Sequence, residues 1–510
     1  MCGSTPARNA PSRAQPLPEH AETGAWGARW ASTGSWTGRP PRLGDVVDRT
    51  SKQVKVPGAD TASLDEFRAV EAELNQRWPE TKIDPTLDRI AALLDLLGDP
   101  QRAYPAVHVT GTNGKTSIAR MVDALLSATG LRTGRFTSPH LQVVTERISL
   151  DGAPISPERY LEAYRDVAPY LSMVDATQPN PLSKFEVLTA MAFAAFADAP
   201  VDAAVVEVGL GGTWDSTNVI DGKVAVIGPV GVDHVEYLGS DVVGIARDKA
   251  GIIKPGSVAV LAEQQPEVMR ELLRRVADVD ASVARAGEEF GLLGREIAVG
   301  GQLLRLQGLG GVYEDVFLPL HGRHQADNAA VALAAAEAFL GAGASNQLDP
   351  DAVRQAFASV TTPGRLEPVR SAPTVLLDAA HNPHGARALA TALNDEFDFR
   401  KLIAVVGVMS DKDAHGILDA LEPVVAEVVL TANTSQRAMP ADDLAAVARD
   451  VFGPDRIVVE PRLDDAIETA VGLAEEVGEP GEPLSGAGVV VTGSVVTVGE
   501  ARALFGKEPA

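Results

Sequence analysis

The sequence predicts an α/β protein of two successive domains, a larger one followed by a smaller one, each with a parallel-rich sheet covered by helices. Three observations predict it. Short apolar runs alternate with stretches of helical period. One such run passes directly into a glycine-bearing turn and then a helix. The alternation breaks at Pro363-Gly364 and starts again beyond it. Length agrees, since 510 residues at about 150 per domain give two to four domains.

In order along the chain, residues 1–60 hold Trp26, Trp30 and Trp36 among Pro, Gly, Ser, Thr and Arg without any apolar period, and are expected to be a disordered, dispensable leader. From Ser63 the spacing of Leu64, Phe67, Val70 and Leu74, and then of Leu87, Ile90, Leu93, Leu94 and Leu97, predicts amphipathic helices. Strands are expected at Val107–Val109, Ala203–Val208, Val224–Ile227 and Val258–Leu261. After a linker at 362–366 they resume at Val375–Leu377, Leu402–Val406, Glu427–Leu430, Ile457–Val459 and Val489–Val491. The domains are therefore expected at 61–361 and 367–510.

Composition narrows the function. Forty-five Lys and Arg against 69 Asp and Glu leave a net charge of −24, which opposes nucleic acid or an anionic membrane as partner. The single cysteine, Cys2, excludes an internal disulfide and CxxC chemistry. No apolar window approaches the length of a membrane span, and the N-terminus lacks the apolar core of a signal peptide. A soluble, acidic, cytoplasmic protein is expected.

The run Val107-His108-Val109-Thr110 leads into Gly111-Thr112-Asn113-Gly114-Lys115-Thr116-Ser117, with a helix expected from about Ile118. This is the strand, loop and helix context of a phosphate loop, in which backbone N–H groups converge on phosphate oxygens, Lys115 supplies charge and the Thr116 hydroxyl reaches magnesium. Glu207 ends a fully apolar run, where a carboxylate is costly unless a cation or hydrogen bonds compensate it. His234 follows the next run and is expected on the same rim.

Further motifs follow in order: Phe136-Thr137-Ser138-Pro139-His140-Leu141, Glu146-Arg147-Ile148, Phe185-Glu186, Glu207-Val208-Gly209-Leu210-Gly211-Gly212, Asp215 with Thr217-Asn218, and Asp233-His234. Then come Lys249-Ala250-Gly251-Ile252-Ile253-Lys254, His324-Gln325 with Asn328, Pro363-Gly364-Arg365, Asp378-Ala379-Ala380-His381-Asn382-Pro383 and Asp411-Lys412-Asp413. From about Leu64 to near the C-terminus, the chain resembles the folylpolyglutamate synthase and dihydrofolate synthase enzymes, relatives of the Mur ligases. Thr116 stands where many of those enzymes carry Gly.

The resemblance implies a Mur-ligase-like P-loop ATPase domain, a Rossmann-like glutamate-ligase domain, and ATP-dependent, ADP-forming ligation of L-glutamate to folate or dihydropteroate through an acyl phosphate. It implies ATP contacts at Gly111, Thr112, Asn113, Gly114, Lys115, Thr116, Ser117, Asn328, Arg365 and Asp378. Two magnesium ions would be held by Thr116, Ser138, Glu207, His234 and a carbamylated Lys249. Folate or pteroate would meet Ser183, Lys184, Phe185, Glu186, Trp214, Asp215 and Ser216, and glutamate His381 and Ser410. Lys115, Lys249 and His381 would serve catalysis, in a protein expected to be monomeric. Another Mur-type ligase is the alternative, but it would need a separate domain for a nucleotide-sugar. A phosphate-loop switch would leave Ser138, Lys249 and the second domain without a task.

Overall fold

The computed structural model describes residues 61–79, 82, 84–343, 346–476 and 486–509. The expected leader, with its tryptophans, lies outside them. Helices α1 (Thr61–Asn75) and α2 (Asp88–Leu96) open the described chain. Phe67, Val70 and Leu74 form the buried face of α1, and Phe67 meets Tyr160 edge-on at 5.2 Å.

There follow β1 (Ala106–Thr110), α3 (Lys115–Ala128), β2 (Thr133–Phe136), the hairpin β3 (Ile148–Leu150) and β4 (Ala153–Pro154), α4 (Pro157–Asp175), α5 (Lys184–Asp198) and β5 (Ala203–Glu207). Next come β6 (Val224–Ile227), the short α6 (Val235–Leu238), α7 (Val242–Lys249), β7 (Val258–Leu261), α8 (Pro266–Asp278) and β8 (Ser282–Arg285). These eight strands form one sheet in the order β4-β3-β2-β5-β1-β6-β7-β8, parallel except at the β2-β3-β4 edge. Every residue of β1, β5 and β6 is buried, as strands covered on both faces require.

A three-stranded antiparallel sheet, β9 (Gly291–Ala298), β10 (Gly301–Gln307) and β11 (Val312–Leu318), leads to α9 (Arg323–Leu340) and α10 (Pro350–Ser359). The alanines of α9 let it lie close against α3, so the phosphate-loop helix is held from outside the large sheet.

The second series comprises β12 (Glu367–Ser371), β13 (Thr374–Leu377), α11 (Pro383–Glu396), β14 (Lys401–Val406), α12 (Ala414–Leu421), β15 (Glu427–Ala432), α13 (Ala441–Phe452), β16 (Ile457–Arg462), α14 (Leu463–Glu475), β17 (Ala487–Thr492) and α15 (Val495–Leu504). Its sheet runs β12-β13-β17-β14-β15-β16, antiparallel only at β12. All described elements belong to one compact unit. Among the described residues no helix is long and apolar enough to cross a membrane.

Each expected strand is present. The periodicity did not predict β2, β3, β4, β8, β12 or the β9-β10-β11 sheet. Thr-Gly-Arg-Phe in β2 has no apolar run because Arg135 is paired inside the protein with Asp123, while β9 is only half covered and so mixes its faces. The helix after the phosphate loop starts at Lys115, earlier than Ile118, because Gly114 adopts a left-handed φ of 80° and caps it.

Register then places the site. Val109 pairs with Glu207 on one side and with Val226 on the other, and Phe136 pairs with Val206. The phosphate loop, the Ser138 loop, Glu207 and the segment leading to His234 therefore leave the sheet at one rim, the carboxyl ends of its central strands.

Candidate active site

At that rim the loop between β1 and α3 is closed upon itself. A Cβ on Gly114 would lie 2.7 Å from the Asn328 Oδ1, so only glycine admits α9 this near. Lys115 donates from Nζ to the carbonyls of Gly111 (3.1 Å) and Thr112 (3.2 Å), across the space its loop encloses. Burial pulls its ammonium down, against the opposing pull of Glu207 and Asp233. The Thr112 hydroxyl donates to Gly231 O (2.9 Å), tying the loop to the segment after β6.

Thr116, in the first turn of α3, donates its hydroxyl to Glu207 Oε1 at 2.9 Å, and Ser138 N reaches Glu207 Oε2 at 3.4 Å. Glu207 is 1% exposed, and burial pushes its carboxyl up to about 7 although Lys115 and the Thr116 bond pull the other way. Lys249, at the end of α7 and 3% exposed, donates to Gly111 O at 3.0 Å. Burial, reinforced by Lys115, lowers it to about 7. His234 caps α6 with φ 52°, and burial lowers its ring to about 4 despite Asp233.

The second domain closes over this rim. Lys412 reaches from the loop before α12 to Asp233 Oδ1 (2.8 Å), and its Nζ stands 3.4 Å from His234 Nε2. Asn382, the N-cap of α11, donates to Asp233 Oδ2 (2.8 Å) and to Asn113 Oδ1 (3.1 Å) of the phosphate loop. Burial would raise Asp233, but His381, His234 and Lys412 outweigh it and hold the carboxyl well below the usual range. His381 donates from Nδ1 to Ala379 O (2.9 Å), and burial lowers its ring to about 4.

Two clefts meet at the loop. A large one of about 710 Å³ is lined by Asn113, Gly114, Ser117, Asn328, Arg365 and Asp378 among others. A smaller one of about 140 Å³ is lined by Thr116, Ser138, Glu207, His234, Arg365 and His381. Asp378 also accepts the N–H groups of Leu366 (3.0 Å) and Ala380 (2.9 Å), so it braces the linker as well.

Other expected residues lie elsewhere. Ser410 sits exposed in the turn after β14, donating its N–H to Arg437 O, and lines neither cleft. None of Ser183, Lys184, Phe185, Glu186, Trp214, Asp215 and Ser216 lines either cleft. The two carboxylates expected on the pterin side have partners within the fold. Glu186 and Ser183 form a capping box on α5, and Glu186 is paired with the buried Arg89 at 3.0 Å. Asp215 accepts Thr217 N, the Thr217 hydroxyl and Leu210 N, which shapes the loop after β5. Lys184 turns to Asn75 of α1 (2.7 Å), and the Phe185 ring lies 5.9 Å from that of Phe136. Trp214 and Ser216 are half-buried.

Sequence reasoning assigned no role to Asp233, Asn382 or Lys412. All three stood within the quoted motifs, where their polar side chains next to His234, Pro383 and two aspartates were the available signal.

The residues present suit magnesium. Among the described residues no three His, Cys, Asp or Glu side chains converge into a metal cluster. The rim instead offers one buried carboxylate, Glu207, with the Thr116 hydroxyl upon it and Ser138 beside it. That hard but incomplete oxygen set fits an ion that keeps water and takes phosphate oxygens.

Two families match the chain, the Mur ligase middle domain over residues 109–336 and the Mur ligase glutamate ligase domain over residues 364–495. A dihydrofolate synthase/folylpolyglutamate synthase of Mycobacterium tuberculosis is 59% identical over 457 residues, covering 86% of this chain and 94% of that one. The structure of a Mycobacterium tuberculosis folylpolyglutamate synthase complexed with ADP superposes with a TM-score of 0.84 at 57% identity, covering 88% of this chain and all of that one. The structure of E. coli FolC in complex with DHPP and ADP gives a TM-score of 0.74 at 28% identity, covering 86% and 97%. By these matches over most of its length, the chain belongs to the dihydrofolate synthase/folylpolyglutamate synthase family of Mur ligases.

Proposed function

We propose that this ATP-dependent, ADP-forming ligase joins L-glutamate to folates, and to dihydropteroate, through an acyl phosphate. The observation that carries the reading is the meeting of Thr116, at the end of the phosphate loop, with Glu207 and Ser138, in a cleft that His381 also lines. Its domains are taken as 61–361 and 367–510 with a linker at 362–366. All the groups come from one chain, which supports a monomer, and the single Cys2 supports cytoplasmic residence.

An amine cannot expel oxide from a carboxylate at neutral pH, so the substrate carboxylate must first gain a leaving group. Its oxygen attacks the γ-phosphorus of ATP; the bond to the β,γ-bridging oxygen breaks and ADP leaves. The glutamate amine then attacks the acyl carbon, expels phosphate and loses a proton. Gly111–Ser117 supply N–H groups to the phosphates, and Lys115 exchanges its two loop carbonyls for phosphate oxygens. Asn328, Arg365 and Asp378 hold the rest of the nucleotide in the large cleft. Thr116, Ser138 and Glu207 would hold one magnesium and His234 with Lys249 a second, the ions supplying positive charge at the transferring phosphoryl group. His381, its Nδ1–H committed to Ala379 O, presents the Nε2 lone pair for a hydrogen bond from the amine.

Lys249 acts in this reading as a carbamate. A lysine lowered to about 7 has a substantial share of free amine at neutral pH, and the amine adds CO2 with release of one proton to become an anion. Intact-protein mass in bicarbonate should show the added CO2, absent in Lys249→Ala; equal masses reject it.

Substrate labelled with 18O in the reacting carboxylate tests the acyl phosphate. One labelled oxygen must appear in the released phosphate; unlabelled phosphate in a single turnover sinks the mechanism.

A further inference from the structure

The last helix reaches across to the loop that carries Ser138. Arg502 of α15 is 4% exposed and binds on both sides of the interface between the two sheets. Its guanidinium donates to Glu367 Oε2 (2.8 Å) and Oε1 (3.3 Å), to Glu508 O (3.1 Å) and to the Gln142 Oε1. Gln142 returns a bond from its Nε2 to Lys507 O (3.0 Å). Glu367, just past the linker, also accepts the N–H of Gly364 (2.8 Å). One buried cation thus joins the linker, the C-terminal segment and the Ser138 loop.

Two other features make this joint tight. Glu146 takes the N–H groups of Leu141 (2.8 Å), Gln142 (3.2 Å) and Val143 (3.2 Å), so the loop cannot flex independently of its anchor. A Cβ on Gly499 of α15 would overlap the Leu141 carbonyl oxygen, so helix and loop meet backbone to backbone. Val495, which starts the same helix, lines the small cleft beside Ser138 and Glu207.

We propose that Arg502 is a positioning residue for the ligation: by bridging Gln142 to Glu367 it seats Ser138 against Glu207 only when the second domain is docked. This rests on Ser138 belonging to the reaction centre, as proposed above. Arg502 touches no substrate in this reading. It acts through the loop, as groups behind metal ligands commonly do.

The full-length chain tests it, with steady-state kinetics and calorimetric ADP binding at varied magnesium. Arg502→Ala should lose about tenfold to a hundredfold in kcat and raise the magnesium needed for tight ADP binding by a similar factor, the usual effect of losing such support. ADP affinity without magnesium should not change. Arg502→Lys should recover part of the loss. Gln142→Ala keeps the Arg502 pair with Glu367 and should show the same pattern more weakly, which decides the matter if Arg502→Ala fails to fold. Ser138→Ala should already contain the effect, so that adding Arg502→Ala to it costs little more. Losses that multiply, or a magnesium requirement left unchanged in Arg502→Ala and Gln142→Ala, overturn the proposal. Wild-type activity in Ser138→Ala overturns the reaction-centre reading, and this proposal with it.

Discussion

Glu207 is held where its charge is unwelcome to the fold, and in the proposed reaction a magnesium ion would need that charge. Its carboxyl is raised from 4.5 to about 7, so the fold favours the protonated form. That preference is fully present below about pH 4.5 and is lost as pH rises through 7. Glu207→Gln should therefore melt higher than the parent at pH 8 in a chelator, by up to about 3 kcal/mol, with the gap closing towards pH 4.5. Coincident melts at pH 8 would show that the carboxylate is solvated. In the proposed reaction the same substitution, and Lys115→Ala, should each lower kcat about a hundredfold or more, since Lys115 would offset the charge of the transferring phosphoryl group and Glu207 would hold the magnesium that does so. Lys115→Ala should still fold, because what it gives up is two bonds to carbonyls of its own loop. Residue chemistry was legible in the sequence wherever a costly side chain ended an apolar run, as at Glu207. The partners of Glu186 and Asp215, Arg89 and Thr217, were not legible there, because they are set by the fold around each carboxylate.

At the scale of elements, the loop after β5 and the end of α7 are packed too closely for any side chain between them. A Cβ on Gly212 would lie 2.8 Å from the carbonyl oxygens of both Asp248 and Lys249. All of its nearest neighbours are backbone atoms, which do not move aside singly. Gly212→Ala should cost about 1–3 kcal/mol in urea unfolding and should lower activity with it, because Lys249 must shift from Gly111 O. Gly472, within α14, is the contrast. Nothing lies within 4 Å of a Cβ there, and Gly472→Ala should stabilise by about 0.5–1 kcal/mol. A stabilised Gly212→Ala would show that the loop is slack. Strands such as β1, β5 and β6 could be read from the sequence because burial on two faces leaves unbroken apolar runs. Elements covered on one face, such as β9, leave no such trace.

The whole molecule is held at contacts that no local pattern announces. The linker was legible because Pro363 and Gly364 interrupt the period. The contacts across it join residues far apart, Asn113 and Asn382 being separated by 269 positions. Farther from the clefts, the side chain of Glu396 of α11 is buried and meets Arg295 of β9, the His321 Nδ1 (3.1 Å) and Gly322 N (2.7 Å). Glu396→Ala removes the carboxylate paired with Arg295, which keeps its bond to Gln302, and should cost about 3 kcal/mol. Tm would drop by several degrees, and an unchanged Tm would mean the two domains do not depend on this cluster.

Asn113 and Asn382 exchange hydrogen bonds, each donating to the other. Such a pair cannot tell which partner is the messenger. If, as proposed, phosphates bind on the first domain and an amino acid at the second, whatever free energy the one lends to the other must be returned in the same amount. A product nucleotide that lingers would then keep the incoming amine's site formed, and departure of either would loosen the other by an equal factor.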